Sequence, residues 1–448
     1  MSAPAVPPPS THPAPAAVGR AVPGERVARI TVVLLFAAWL IDYADRLVIN
    51  FVLPSVGKEF HLSHGQQGLV VSAFFLAYAL AQIPGGLLTD RFGAHRVTTW
   101  ALLAWSLFTA LTGFAWSFAA LLAVRFVFGA AEGIFPPASM KVLVERTSPE
   151  QRMGANGVIM SSSAVAAIAA PLAVAPLVAV FGWRSAFFSA AALGVFVVLA
   201  MRAWLPAPLP RTGTEAGAEA GVGAGVAGRR HGLREVLRVG ALWRFAAMMF
   251  GYNILQGGLL AWAPSYLNTR MGVPLAAVGA LMVPPALAGA AATIIGGRLS
   301  DRLGGHHRKL VVPGMAVAAI ALPLMAFSSS TTAFVVFATV VVAAASLAYM
   351  PIFAVPLSGL PPAFVGVGGA VVVVGGQLAG MVTPPVMGVI IDAFSFRTAF
   401  ASLVVGAVVT ALMAVFTPQD PASFRAAFGA RVRTRPTTGT PSTGMEPS

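Results

Sequence analysis

Twelve apolar runs, each of membrane-crossing length, recur along the 448 residues. They cover about 30–54, 68–88, 97–116, 118–143, 158–181, 185–205, 242–267, 275–295, 310–327, 332–357, 366–391 and 398–416. A spanning helix needs roughly 20 such residues. Backbone groups in lipid must be satisfied within the segment, and no run has the alternation of a membrane barrel, so all are expected as helices. Composition agrees, with 57% hydrophobic and only 10% charged residues, against about 25% charged in soluble domains. The expected fold class is all-α integral membrane, with twelve transmembrane helices.

The net charge of +14 raises nucleic acid as a partner, so the placement of the 29 Lys and Arg decides its meaning. With the amino terminus inside, twenty-three of them fall in inner segments, while only Lys58, Arg184, Arg270 and Arg397 lie outside. Lys and Arg concentrate in cytoplasmic loops. Both termini are therefore expected in the cytoplasm of a multi-pass inner-membrane protein. The basic balance then reflects topology, and no nucleic-acid partner is implied. The Pro- and Ala-rich residues 1–28 read as a disordered cytoplasmic tail and not a signal peptide. Residues 418–448 read as a second such tail, and the Gly-, Ala- and Arg-rich stretch 206–241 as a cytoplasmic linker dividing the spans six and six.

Two landmarks recur at nearly one offset. Gly86-x-Leu88-x-Asp90-Arg91-x-Gly93 follows the second run, and Gly297-x-Leu299-x-Asp301-Arg302-x-Gly304 follows the eighth. Gly182-Trp183-Arg184-Ser185-Ala186-Phe187 opens the sixth run, and Ser395-Phe396-Arg397-Thr398-Ala399-Phe400 opens the twelfth. A six-helix unit, 29–205, is thus expected to be duplicated as 242–417. In the first motif Gly86 and Gly93 permit close packing and a tight turn. Asp90 can sit against the positive end of a neighbouring helix, and Arg91 against a carboxylate.

Charges inside the runs carry the functional signal. Asp42, Asp45 and Arg46 lie within the first, and Arg125 and Glu132 within the fourth. Each charge at a helix centre costs roughly 2.5–3.5 kcal/mol on insertion scales, so such groups usually face a wet interior and mark a pathway. Arg125 and Glu132 are two turns apart, about 10.5 Å along one face. Asp42 and Arg46 are four apart and so neighbours on a helix. The alternative is a set of internal ion pairs clamping the first span to the fourth, and for Asp42 the adjacent Arg46 favours that alternative.

These features together resemble the major facilitator superfamily, whose most specific signature is the Gly-x-Leu-x-Asp-Arg-x-Gly loop. The resemblance covers about 28–418. It implies transport by alternating access between two six-helix halves, a monomer, and a latch formed by Gly86, Asp90, Arg91 and Gly93 with Asp301 and Arg302 in the second copy. The segments IDYADR, RFVFGAAEGIFPPA, APLVAVFGWRSAFF, Trp262-Ala263-Pro264-Ser265-Tyr266-Leu267 and Gly376-Gln377-Leu378-x-Gly380 are similar to the anion:cation symporter branch. That branch takes up sugar acids and other organic carboxylates with protons. By this resemblance Arg46 pairs with the substrate carboxylate. Asp45 and Glu132 carry protons, with Arg125 modulating Glu132 and Asp42 a third acid. Tyr78, Tyr252, Asn253 and Gln377 are candidates for hydroxyl or amide contacts, or else bridges between helices. The branch commonly has Asn at the positions of Asp42 and Gln377.

A charge inventory argues the same way. Three ionised acids outnumber two arginines, so an incoming anion deepens a deficit that protons on the acids cure. Proton uptake should therefore assist anion uptake. The rival reading is a proton-coupled exporter of a drug or metabolite, but the fifth run has Ala169-Ala170-Pro171 where such exporters carry a Gly-Pro-x-x-Gly-Gly element. An enzyme is not expected. The seven His fall in tails or loops, no Cys is present, and no metal site or cofactor is implied.

Overall fold

A computed structural model describes residues 25–208, 238–361 and 364–433. Most of the linker expected at 206–241, most of the 1–28 tail and the end of the 418–448 tail lie outside the described residues. The rest is helical. The first set comprises α1 (Glu25–Glu59), α2 (His64–Phe92), α3 (Ala94–Gly113), α4 (Phe118–Val144), α5 (Pro149–Phe181) and α6 (Trp183–Trp204). The second comprises α7 (Gly240–Thr269), α8 (Leu275–Leu281), α9 (Val283–Arg302), α10 (Arg308–Ala326), α11 (Thr331–Gly359), α12 (Val365–Ala393), α13 (Phe396–Ser402), α14 (Val404–Phe416) and α15 (Pro421–Arg433).

The helix starts follow local chemistry. Ser63 caps α2 in a reciprocal box with Gln66, and Ser117, Ser330 and Ser395 accept hydrogen bonds from the first turns of α4, α11 and α13. Such caps satisfy amide donors that the helix itself leaves free. Gly93 (φ 88°) turns the chain between α2 and α3, a backbone conformation that glycine adopts without strain.

Ten helices among the described residues, counting α8–α9 and α13–α14 as one each, are long and apolar enough to cross a membrane. Of the twelve expected runs, α3 and α7 fall below that hydropathy. Their polar residues turn inward instead: Thr98, Ser106, Thr109 and Thr112 are buried on α3, and Tyr252 on α7. The eighth and twelfth runs are each broken once, after Leu281 and after Ser402.

Close helix contacts are made where glycine replaces a side chain. On α4, a Cβ at Gly129 or Gly133 would overlap the carbonyls of Phe74 or Tyr78 on α2. Gly85, not Gly86, is the close packer of its motif. A Cβ at Gly85 would stand 2.8 Å from Ile134 Cα, whereas one at Gly86 meets nothing within 4 Å. The expectation for Gly86 is thereby corrected, because it turns away from α4.

Contacts between the two sets gather at one end of the bundle. There α2 meets α12, with Gly68 against the Pro384 carbonyl, Gly388 against the His64 carbonyl, and Ser72 Oγ donating to the Met381 carbonyl. Asp392, at the end of α12, accepts from the backbone N–H of His64 (3.0 Å) and of Gly65 (2.8 Å), with His64 Nδ1 2.6 Å away. Within the first set, Glu59 holds Arg184 and Trp183 at the same end.

The 418–448 segment is not wholly irregular. Its beginning forms α15, which packs on α11 and α7 with Phe424 and Phe428 buried. The two rings lie one turn apart, which gives a short helix carrying three Arg one apolar edge.

Candidate functional site

Charged residues of α1 and α4 meet inside the first set. Arg46 Nε donates to Glu132 Oε2 at 2.8 Å, and Arg46 Nη2 to Asp42 Oδ1 at 3.0 Å, with Asp42 Oδ2 2.8 Å away. Asp42 and Glu132 are fully buried, while the Arg46 side chain keeps 18% exposure. The guanidinium carbon lies 4.4 Å from the centre of the Tyr78 ring and within 6 Å of Tyr43 and Phe74. Aromatic faces attract such a cation, most strongly where water is scarce.

Asp45 and Arg46, adjacent in sequence, point about 100° apart around α1. Asp45 turns towards α3, where Thr109 Oγ1 donates to its Oδ2 at 2.5 Å. Arg125 is buried with its carbon 4.5 Å from the Phe128 ring centre and interacts electrostatically with Asp45 and Glu132. Its Nε and Nη1 have no hydrogen-bond partner among the described residues, and the same holds for Asp45 Oδ1 and Glu132 Oε1. A buried polar group left unpaired is costly, so these atoms weigh against the stability of the bundle.

Arg46, Asp42, Asp45, Glu132, Arg125 and Tyr78 are therefore brought into one buried network. The residues expected from the second set are arranged differently. Tyr252 accepts from Gln256 Nε2 (3.1 Å), which also donates to Ser346 Oγ (3.0 Å), and the Tyr252 ring lies 5.4 Å from that of Tyr349. Tyr349 is within electrostatic reach of Tyr43, which links this polar group to the charged one. Asn253 donates to the Met249 carbonyl of its own helix at 2.9 Å and packs against Gly376, and half-buried Gln377 has no hydrogen bond among the described residues.

Asp90, Arg91, Asp301 and Arg302, expected to form a latch, are exposed. Asp90 pairs with Lys141 of α4 at 2.7 Å and not with a helix terminus. Arg91 lies over Phe92, 5.2 Å from the ring centre, and makes no ion pair among the described residues. Asp301 and Arg302 are exposed at the end of α9 and make no ion pair among the described residues.

Sequence reasoning missed Thr109, Tyr43, Gln256, Ser346 and Tyr349, each an ordinary polar or aromatic residue in an apolar run. It also placed every His in a tail or loop, whereas His64 opens α2 and joins it to α12. The one readable sign of that junction was Asp392, a lone acid closing the eleventh run.

Comparison with known proteins gives a consistent result. The "Probable sulfoacetate transporter SauU" of Cupriavidus necator is 28% identical over 372 residues, covering 79% of this chain and 85% of its own. The "Probable galactarate/D-glucarate transporter GarP" of Escherichia coli (strain K12) is 28% identical, with 83% and 90% covered. A crystal structure of a bacterial homologue of the human lysosomal transporter Spinster superposes with a TM-score of 0.74, at 20% identity, over 93% of this chain and all of that one. The profile of the Major Facilitator Superfamily matches residues 34–380 and 276–439. With a helical bundle of that architecture, relatives that move organic anions and a profile spanning nearly all the described helices, this chain belongs to the Major Facilitator Superfamily.

Proposed function

We propose that the protein imports a small organic carboxylate together with protons, by alternating access, across the cytoplasmic membrane. The relatives' substrates, sulfoacetate and the sugar diacids galactarate and D-glucarate, set the chemical range. In this reading the chain is a monomer with twelve spans in two six-helix halves, and both termini face the cytoplasm. Helices α3 and α7 then supply the two spans whose polar faces are turned inward.

The observation that carries the proposal is the contact of Arg46 with fully buried Glu132 at 2.8 Å. A planar guanidinium is suited to bidentate capture of a carboxylate. While Glu132 is ionised it holds that cation itself, so a substrate carboxylate must replace one anion with another. A proton on Glu132 removes the competitor and its charge together. Asp45, held by Thr109 and near Arg125, supplies a second protonation site on another face of α1. Arg125 stabilises whichever of the two acids remains ionised. Latch residues Gly86, Asp90, Arg91 and Gly93, with Asp301 and Arg302, act at the opposite end from the closed α2–α12 seam, where the partners of Asp90 and Arg91 change as the halves rock.

The test is uptake of radiolabelled D-glucarate and sulfoacetate into proteoliposomes with an imposed pH gradient, acid outside. Accumulation should rise with the gradient and collapse with a protonophore; uptake indifferent to both would refute coupling. Arg46→Lys should weaken carboxylate affinity about tenfold or more, because a point ammonium loses one of two charge-assisted bonds.

A further inference from the structure

Arg46 offers its Nε and Nη2 as one edge of the fork, the pair of donors that grips a carboxylate with two parallel bonds. Both are taken in this structure, Nε by Glu132 and Nη2 by Asp42. Releasing Glu132 alone leaves the edge half blocked. Asp42 sits four residues before Arg46 on the same helix, so the backbone of α1 holds it beside the guanidinium whatever the rest of the carrier does.

We propose that Asp42 is a built-in competitor for the transported carboxylate, occupying Arg46 in the empty carrier and giving it up only by taking a proton of its own. This rests on the carboxylate reading of Arg46 given above. The reason for a proton is the surroundings of Asp42. The side chain is fully buried, and among the described residues Arg46 is its only hydrogen-bond donor. The titratable groups around it are Asp45, Tyr43 and Arg46 on its own helix, Glu132 on α4 and Tyr78 on α2. Arg46 is the one cation among them. An ionised Asp42 deprived of Arg46 is thus an unpaired, fully buried carboxylate, a costly state that proteins avoid by neutralising the group.

The charge balance closes accordingly. With all three acids ionised the cluster of Asp42, Asp45, Glu132, Arg46 and Arg125 carries one net negative charge, and a monoanion makes it two. Protons on both Glu132 and Asp42 bring the cluster loaded with a monoanion such as D-galacturonate to neutrality, and the cluster loaded with a dianion such as D-glucarate back to the single negative charge of the empty site. Each carboxylate seated on Arg46 thus draws one proton to Asp42 in addition to that on Glu132.

The experiment is titration calorimetry of the purified full-length protein with D-glucarate, sulfoacetate and D-galacturonate. Measurements in two buffers of different ionisation enthalpy count the protons taken up per anion bound, and binding is followed between pH 5.5 and 8. Asp42→Asn keeps the size and an acceptor for Nη2. It should bind about tenfold tighter at the alkaline end and take up one proton fewer, with the pH dependence of log Kd shallower by one. Asp42→Ser, smaller and equally neutral, should do the same. If Asp42→Asn retains the wild-type proton count and slope and loses only thermal stability, Asp42 is a static clamp and the proposal is overturned. If no carboxylate binds the wild type or Asp42→Asn, the assignment of Arg46 falls first. Binding by the wild type that survives Arg46→Ala unchanged leads to the same conclusion.

Discussion

At the level of single residues, the charged network was legible because acids and arginines stand out in apolar runs and helical spacing says which of them share a face. Asp42, Arg46, Arg125 and Glu132 were placed this way. The partner of Asp45 was not legible, since Thr109 is one threonine among several on α3 and nothing in its spacing distinguishes it. Its geometry nevertheless gives it a task. The 2.5 Å bond fixes the Asp45 carboxylate towards α3 and away from Arg46, and a hydrogen bond to a charged group is worth about 1.5–3 kcal/mol. Thr109→Val, nearly equal in volume, should cut proton-driven uptake at least about tenfold, while Thr109→Ser should retain most of it; initial rates in proteoliposomes decide. Asn253 and Gln377 were singled out by their polarity alone; the Asn253 amide donates to its own helix, and Gln377 has no hydrogen bond among the described residues.

Among elements, the apolar runs gave helix positions closely, because length and hydropathy are local properties. Helix α15 escaped because it is short, carries three Arg, and its burial depends on a surface formed by distant segments. Two features seat it. Asp420 accepts from the backbone N–H groups of Ser423 (2.8 Å) and Ala422 (2.9 Å), and these bonds, that to Ser423 foremost, hold its carboxyl below the usual range. Before it, the Gln419 carbonyl meets the backbone N–H of His307 at 3.2 Å and its Nδ1 at 3.0 Å, and burial keeps the His307 imidazole below its usual value. Both groups are held lower in the docked state than when released, so each stabilises docking above its ordinary titration range and loses that contribution on acidification. Protection factors of the 421–433 amides should therefore decline as pH falls from about 7 through the ordinary histidine range near 6.5, and again in the carboxylate range. Asp420→Ala should lower them at neutral pH by about 1 kcal/mol, the usual worth of a helix cap. Hydrogen exchange read by mass spectrometry measures both, and unchanged protection would mean that the buried Phe424 and Phe428 alone hold the helix.

For the whole molecule, the recurrence of Gly-x-Leu-x-Asp-Arg-x-Gly about 210 residues later was legible as a repeated motif. Which end of the bundle is shut was not, because one sequence must serve every conformation of a carrier. The closed end is written in contacts across the two sets of helices, and Asp392 is its polar centre. It satisfies two of the first amide donors of α2 from a helix 328 positions away in sequence, so parting the seam strands those donors and the carboxylate at once. Asp392→Asn should move the equilibrium towards a state open at this end by about ten- to a hundredfold, given about 1.5–3 kcal/mol for hydrogen bonds to a charged acceptor. The chain has no Cys, so Lys58→Cys and Arg270→Cys, at exposed positions of that end, can carry spin labels without background. Double electron–electron resonance should then show a longer distance component in Asp392→Asn than in its parent, and identical distributions would assign the closure to packing alone. That packing has its own implication. Where Gly68 meets the Pro384 carbonyl and Gly388 that of His64, main chain lies directly on main chain, so side-chain motion alone cannot part α2 from α12 at these two points. Ion leakage through the resting protein should then arrive as rare, whole openings of the gate, so its rate reports how often the molecule breathes and not how wide a standing pore is.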